Sequence, residues 1–458
     1  MAKRTQGTIF WSGVLSQEDS MRSRIISDIL IGTICLCMVT ACPLFSVDDP
    51  QPLEPVLTPI KAWELDVEAY TSYCYPTQDG RYLYLTTASF WNDQEAPQTV
   101  TLEKIDLANG QRIWTSETVP GMDDTIVCPA SPYLFIFTRS YLRCYSEESG
   151  KLLATIKVND SNEPQNIPWL DYITYATGCL YWGTLEHSSS FEPKGLVKLS
   201  LNDINFHHPP NEPQIIIPEM IYPTGQGILA CPIIDQDTLY FLTYNPSFMD
   251  NAGYSQLVVL NLLEDSVKWK KNLPSMYGNI PNSLLIHEDT LYIIDSSTAA
   301  FDKNTGIEKY LYDTTKMDLS KEFYRGGSGR SAGITYYEGK LYYVNTMHSG
   351  TPSLGKIPWE LVYNMVCIDA DTGEVIWKNR PSGTFGSIGA NPVVANGRAY
   401  FLTSNGIRVY EADSGRLIGV YKDVENTGLD RTFTYNGMMI FRNKNKKDRS
   451  TKLTAIRI

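Results

Sequence analysis

"CIDADTGEVIWKN", residues 367 to 379, sets Gly373 in a polar turn between two strand-like runs and places Trp377 four residues beyond it. Glycine suits such a turn because it takes positive φ without a Cβ clash, and the Asp and Thr beside it can hydrogen-bond the local backbone. The spacing returns in "KIDLANGQRIW" at 104 to 114, with Gly110 and Trp114. "CYSEESGKLLA" at 144 to 154, "AFDKNTGIEKY" at 300 to 310 and "VYEADSGRLIG" at 409 to 419 keep the glycine (Gly150, Gly306, Gly415) without the tryptophan. "VLNLLEDSVKW" at 259 to 269 keeps Trp269 and loses the glycine.

A second signal precedes each copy: a small or Pro-containing strand start, a polar turn, then an apolar-aromatic pair. It runs from "CYPTQDGRYLYLTT" at 74 through "NPVVANGRAYFLTS" at 391 to "TFTYNGMMIFRN" at 432. The apolar pairs begin at 83, 134, 180, 239, 291, 341, 399 and 439, in steps of 40 to 59 residues. Four strands per unit of roughly 50 residues is the repeat of a propeller blade. The expectation is an all-β, eight-bladed β-propeller of four-stranded antiparallel blades. The unit beginning at 175 is the most degenerate, which leaves a seven-bladed ring as the alternative. The last unit ends "KLTAIRI" at 452 to 458 in third-strand phase, and "KAWELDV" at 61 to 67 carries Trp63 in outer-strand phase. An N-terminal strand is therefore expected to close the last blade and bury both edges.

The motif A-x-D-x-x-T-G-x-x-x-W, matched by residues 367 to 379 except for Cys367, resembles the repeat of PQQ-like quinoprotein propellers. The resemblance extends through diverged copies over about 400 residues. It implies that Trp63, Trp114, Trp269 and Trp377 pack each blade against the next, and Gly110, Gly150, Gly306, Gly373 and Gly415 are read as the repeat turn glycines. An aromatic of that size can bury about 150 to 250 Å² at such a seam.

The amino terminus reads as an address. Arg22 and Arg24 precede an apolar run from Ile29 to Val39 and then "TAC" at 40 to 42. The run is too short to span a bilayer, which takes about 20 apolar residues. It has the form of a secretory signal. Its ending resembles a lipobox, with Cys42 the lipidated first residue of the mature chain. Residues 1 to 41 are read as leader and lipoprotein signal peptide, with Met21 an alternative start. Residues 42 to 60, with prolines at 43, 50, 52, 55 and 59, are read as a lipidated tether, and residues 61 to 458 as the propeller. Deleting 61 to 67 is expected to destabilise the ring, and deleting 43 to 60 is not.

Composition narrows the function. With 39 Lys+Arg against 51 Asp+Glu, a net charge of −12 and a pI near 5.0, the chain offers little sign of the basic face that nucleic acid requires. Quinoprotein dehydrogenases of the resembled family hold PQQ over a tryptophan floor, beneath a disulfide of adjacent cysteines, with Ca²⁺ bound by carboxylate and amide oxygens. This sequence has no adjacent cysteine pair and no carboxylate cluster outside the repeat turns, where Asp106, Asp302 and Asp369 have a turn role. The five histidines, 187, 207, 208, 287 and 348, show no metal-ligand spacing, and no Gly-x-Ser-x-Gly elbow is present. Cofactors, metal and catalytic residues are therefore expected to be none. Cys74, Cys128, Cys144, Cys179, Cys231 and Cys367 are read as small hydrophobes, with their disulfide pairing left open and a channel thiol cluster as the alternative.

The resulting expectation is a non-enzymatic, lipid-anchored scaffold for protein–protein interaction in the bacterial cell envelope, at the outer membrane facing the periplasm. In design it is similar to the propeller lipoproteins of the outer-membrane β-barrel assembly machinery, which implies an envelope protein partner from that complex. The alternatives are a PQQ-dependent dehydrogenase-like enzyme and a surface-exposed adhesin or carbohydrate-binding lipoprotein. The largest insertions are 159 to 168, 202 to 220, 245 to 256, 312 to 330 and 345 to 364. The last holds Trp359, Leu361 and Tyr363 outside the repeat phase and is the candidate partner contact, because loops on a rigid scaffold carry function.

Overall fold

The computed structural model describes residues 54–458 apart from 68–70, 78, 89–98, 121–125, 139–140, 159–172, 184–194, 224–231, 244–254, 274–283, 295–297, 313–322, 325–332, 350–359, 381–390, 404–405, 423, 425–431 and 445–450. The leader and Cys42 lie outside the described residues. Residues 55–458 form one compact unit.

Eight antiparallel sheets follow one another along the chain, each with four main strands. In chain order the blades are I (71–120), II (126–157), III (173–223), IV (233–273), V (284–312), VI (323–379), VII (393–421) and VIII (433–457 with 61–67). The sole helical element among the described residues is a 3-10 turn at Leu201–Asp203. The ring closes by Lys61–Val67, which pairs antiparallel with Thr451–Arg457 and sets Trp63 opposite Ala455 and Val67 opposite Thr451. The first and last strands of the propeller therefore share one sheet, in which Thr451–Arg457 is paired on both sides and Lys61–Val67 is the outermost strand.

Local chemistry explains the hairpins. The first two strands of seven blades are joined by two-residue turns, among them Thr177-Gly178, Glu338-Gly339, Asn396-Gly397 and Asn436-Gly437, whose leading residues have φ between 46° and 52°. Asn-Gly is the pairing that such mirror-type turns favour, because both positions need positive φ. The third and fourth strands of blades I, II, V, VI and VII are joined through the repeat glycines. Each takes a φ of 68° to 75° and donates its N–H to the carbonyl four residues earlier, as Gly373 does to Asp369 at 2.9 Å.

The core is spread around the ring. Each apolar cluster spans neighbouring blades, and together the clusters fill all eight seams, including Leu83, Ile105, Ile440 and Leu453 between blades VIII and I. Middle strands are covered on both faces, so Thr238–Thr243 and Thr290–Ile294 are buried throughout. Outer strands meet solvent along one side, and Gln111–Thr115 is mostly exposed.

Two blades carry a fifth, parallel segment. Gln214–Ile215 pairs with Ile156 and Lys157 of blade II. On blade VII, Val56 forms a parallel bridge with Val420, Leu57 N–H donates to the Val420 carbonyl at 2.9 Å, and Val420 N–H donates to the Pro55 carbonyl at 2.8 Å.

Candidate interaction surface

The seams come first, because they make the scaffold rigid. In all eight blades the pairing of third and outer strands shifts register by one residue at a bulge. A bulge re-aims a side chain. In blades VIII, I, IV and VI the re-aimed residue is Trp63, Trp114, Trp269 or Trp377, and its ring lies over the turn of the following blade. A Cβ on Gly110 would come within 2.6 Å of Trp63, one on Gly150 within 2.5 Å of Trp114, one on Gly306 within 2.7 Å of Trp269, and one on Gly415 within 2.6 Å of Trp377. The glycines thus supply positive φ and clearance for the ring at once. Each indole N–H donates to a carbonyl of the same turn: Trp63 to Leu107 at 3.1 Å, Trp114 to Glu147 at 3.2 Å, Trp269 to Lys303 at 3.2 Å and Trp377 to Ala412 at 2.7 Å.

Sequence reasoning missed a fifth member. Gly373 is covered by Tyr310, whose ring would stand 2.6 Å from an added Cβ. Its signal was visible, since Tyr310 follows Gly306 by the same four residues. Tyr310 has no indole N–H, its buried hydroxyl makes no hydrogen bond, and burial pushes its ionisation well above the usual phenol range. At the seam from III to IV, Tyr222 packs edge-on against Phe241, with centroids 5.5 Å apart.

The candidate contact residues sit differently from expectation. The insertion at 345 to 364 is not a loop throughout. Lys340–Ser349 and Glu360–Asp369 are ten-residue strands paired along their whole length, placing Leu361 opposite His348 and Tyr363 opposite Thr346. Phe323–Tyr324 adds to the same extension through Ser349 and His348. Continuous backbone pairing explains the difference, because it carries the hairpin past the four-stranded body of the blade. At about 3.3 Å per residue, the extra length reaches roughly 13 Å beyond a six-residue blade strand. Leu361 and Tyr363 belong to this projecting ribbon, on the side of the ring opposite the two-residue turns. Trp359 lies outside the described residues.

The described tryptophans lie on outer strands or, for Trp182, on a buried second strand of blade III, so none of them lines the inner strands as a floor. Cys144, Cys179 and Cys367 form no disulfide and, like Cys128, are buried, and the four occupy different strands. Burial pushes the Cys144 thiol up and the Cys367 thiol up to about 12, away from the thiolate needed for metal or redox chemistry. Cys74 and Cys231 have no described side chains. Among the described residues no three His, Cys, Asp or Glu side chains converge as a metal site. Just before the inner strands of blades VI, VII and VIII, Asn391 accepts from Gly333 N–H at 2.8 Å through its side chain, and from the Thr432 hydroxyl through its carbonyl.

Comparison with known proteins fits this geometry. The family model described as outer membrane protein assembly factor BamB matches residues 329–429, which cover blades VI and VII and include the projecting ribbon. The chain resembles the PQQ-like repeat propellers. The structure is similar to BamB from Moraxella catarrhalis (TM-score 0.53, 12% identity, covering 88% of this chain and 98% of that one). It is equally similar to a europium-containing methanol dehydrogenase (TM-score 0.59, 12% identity, covering 88% and 95%). A quinohemoprotein alcohol dehydrogenase from Comamonas testosteroni follows at TM-score 0.57 and 11% identity, covering 86% and 76%. At these identities the likeness concerns the fold. No curated protein matches the sequence.

Proposed function

We propose that this chain is a non-enzymatic propeller scaffold, lipid-anchored through Cys42 at the outer membrane and facing the periplasm, that binds an envelope protein through the ribbon of blade VI. The observation that carries the reading is the ribbon: among the described residues one blade of eight extends its middle hairpin to ten paired residues per strand, and the BamB-type match falls on that blade and the next. A rigid ring held by aromatic seams and presenting one projecting edge suits recognition by strand addition or by side-chain packing. By the likeness to the assembly-factor family, the partner belongs to the outer-membrane protein assembly complex.

Crosslinking in intact cells, followed by mass spectrometry, tests this. Recovery of a membrane-barrel assembly protein supports the proposal, and its loss on Trp359→Ala with Tyr363→Ala at unchanged Tm assigns the contact to the ribbon. Crosslinks confined to other partners, or an unchanged pattern in the double variant, overturn it. Cys42→Ala should move the protein from the membrane to the soluble fraction.

The second reading is a quinoprotein dehydrogenase, favoured by the structural likeness to two such enzymes. It predicts dye-coupled alcohol oxidation on addition of PQQ and Ca²⁺. The scaffold reading predicts none.

A further inference from the structure

We infer that residues 55 to 60 are not tether but a strap that replaces the missing aromatic seal between blades VII and VIII. Four residues beyond Gly415, where other blades carry Trp or Tyr, stands Gly419. In blade VIII the third strand, Thr451–Arg457, and the outer strand, Lys61–Val67, are not consecutive in the chain, so the glycine turn that joins them in other blades has no counterpart there. The gap is filled from the amino terminus. A Cβ on Gly419 would lie 2.7 Å from both Leu57 Cγ and the Pro55 carbonyl oxygen. Leu57 packs with Ile418 and Ile458 on the cluster that joins Tyr400, Val409 and Tyr421 of blade VII to Met439, Phe441 and Ile456 of blade VIII. Arg457 N–H donates to the Ile60 carbonyl at 2.9 Å, so the strap runs directly into the closing strand.

The same solution occurs independently at the seam from II to III. The residue four beyond Gly150 is Ala154, again too small to seal. A segment preceding the outer strand of blade III, Glu219–Pro223, reaches back to pair in parallel with the outer strand of blade II. Ile216 N–H donates to the Lys157 carbonyl at 3.1 Å, as Leu57 N–H does to Val420, and Ile216 packs on the cluster of that seam. Residues 55 to 60 likewise precede the outer strand of blade VIII. In both places the neighbour in register points outward: Val56 is 63% exposed and Ile215 59%. Two unrelated stretches of sequence thus back an outer strand that lacks the seam aromatic with a parallel pair and an aliphatic side chain, at Val420 beside Gly419 in blade VII and at Ile156 and Lys157, beyond Ala154, in blade II. The spacer of the proposed anchor shortens to residues 43 to 54, and the point where it enters the ring becomes part of ring closure.

A double-mutant cycle in the full chain tests the strap. Leu57→Ser is expected to lower Tm by about 2–4 °C, the shift that loss of roughly 2–3 kcal/mol gives in a unit of this size. Val56→Ser, its exposed neighbour, should leave Tm unchanged. Gly419→Val should cost a similar amount by expelling Leu57, and the double variant should fall no further than the worse single one, since both remove one contact. In parallel, internal deletion of 43–54 should leave Tm unchanged and deletion of 55–60 should lower it. Equal Tm for the Leu57 and Val56 variants, full additivity of Leu57→Ser with Gly419→Val, or equal Tm for the two deletions would each overturn the inference.

Discussion

Each tryptophan at a seam answers two demands with one ring: it covers a glycine turn, and it gives its N–H to a carbonyl three residues before that glycine. Tyr310 answers only the first. Its hydroxyl is buried without a partner, and an unsatisfied buried group costs about 1–3 kcal/mol. Tyr310→Phe is therefore expected to hold or raise the urea midpoint, by up to about 1 kcal/mol, whereas Tyr310→Ala should cost about 3 kcal/mol by emptying the seam. The facing Gly373 should tolerate no side chain: with φ at 75° and Tyr310 within 2.6 Å, Gly373→Ala is expected to lower Tm markedly. The turn carboxylates give a pH dependence. Hydrogen bonds from Thr305 to Asp302, and from Thr372 to Asp369, hold both carboxyls below the usual carboxylate range. A depressed pKa contributes stability above the unfolded value, near 3.9, that is lost as pH falls through the folded value. The advantage of the wild type over Asp302→Asn with Asp369→Asn, measured by urea midpoint at pH 7, should therefore shrink below about pH 4.

Among the elements, the closing strand Lys61–Val67 has the largest task, since it supplies an outer strand to blade VIII and Trp63 to the seam with blade I. Deleting it should open both seams at once, and the measured consequence is a large loss of Tm with broadened unfolding. The ribbon of blade VI is the opposite case. Its outer half projects beyond the blade body, so removing 350–359 is expected to leave Tm unchanged while abolishing the proposed partner crosslink. Sequence phase exposed this element because Leu361 and Tyr363 fall outside the repeat. The phase did not show that they sit on strands, because the register of Glu360–Asp369 depends on backbone pairing with Lys340–Ser349.

For the whole molecule, the apolar core belongs to the seams, and each blade is stable only between two neighbours. Repeat architectures of this kind couple neighbours pairwise, and a closed ring leaves no terminal repeat to fray. Unfolding should accordingly follow one transition by both tryptophan fluorescence and circular dichroism. Two separated transitions would show that the seams do not couple the blades. A sequence periodic in turn glycines and outer-strand aromatics determined the blade, its number and its closure, because those features recur within about 50 residues and are set by local turn chemistry and strand alternation. What fills each seam was decided by the tertiary structure alone. Gly419 looks like a worn repeat until Leu57, 362 residues away in the chain, is brought against it by ring closure, and the outer strand of blade II lacks an aromatic until Ile216 packs on the cluster of its seam. A repeat reports the position of a side chain within its own blade, whereas a seam is formed by whichever surfaces the curvature of the ring presses together.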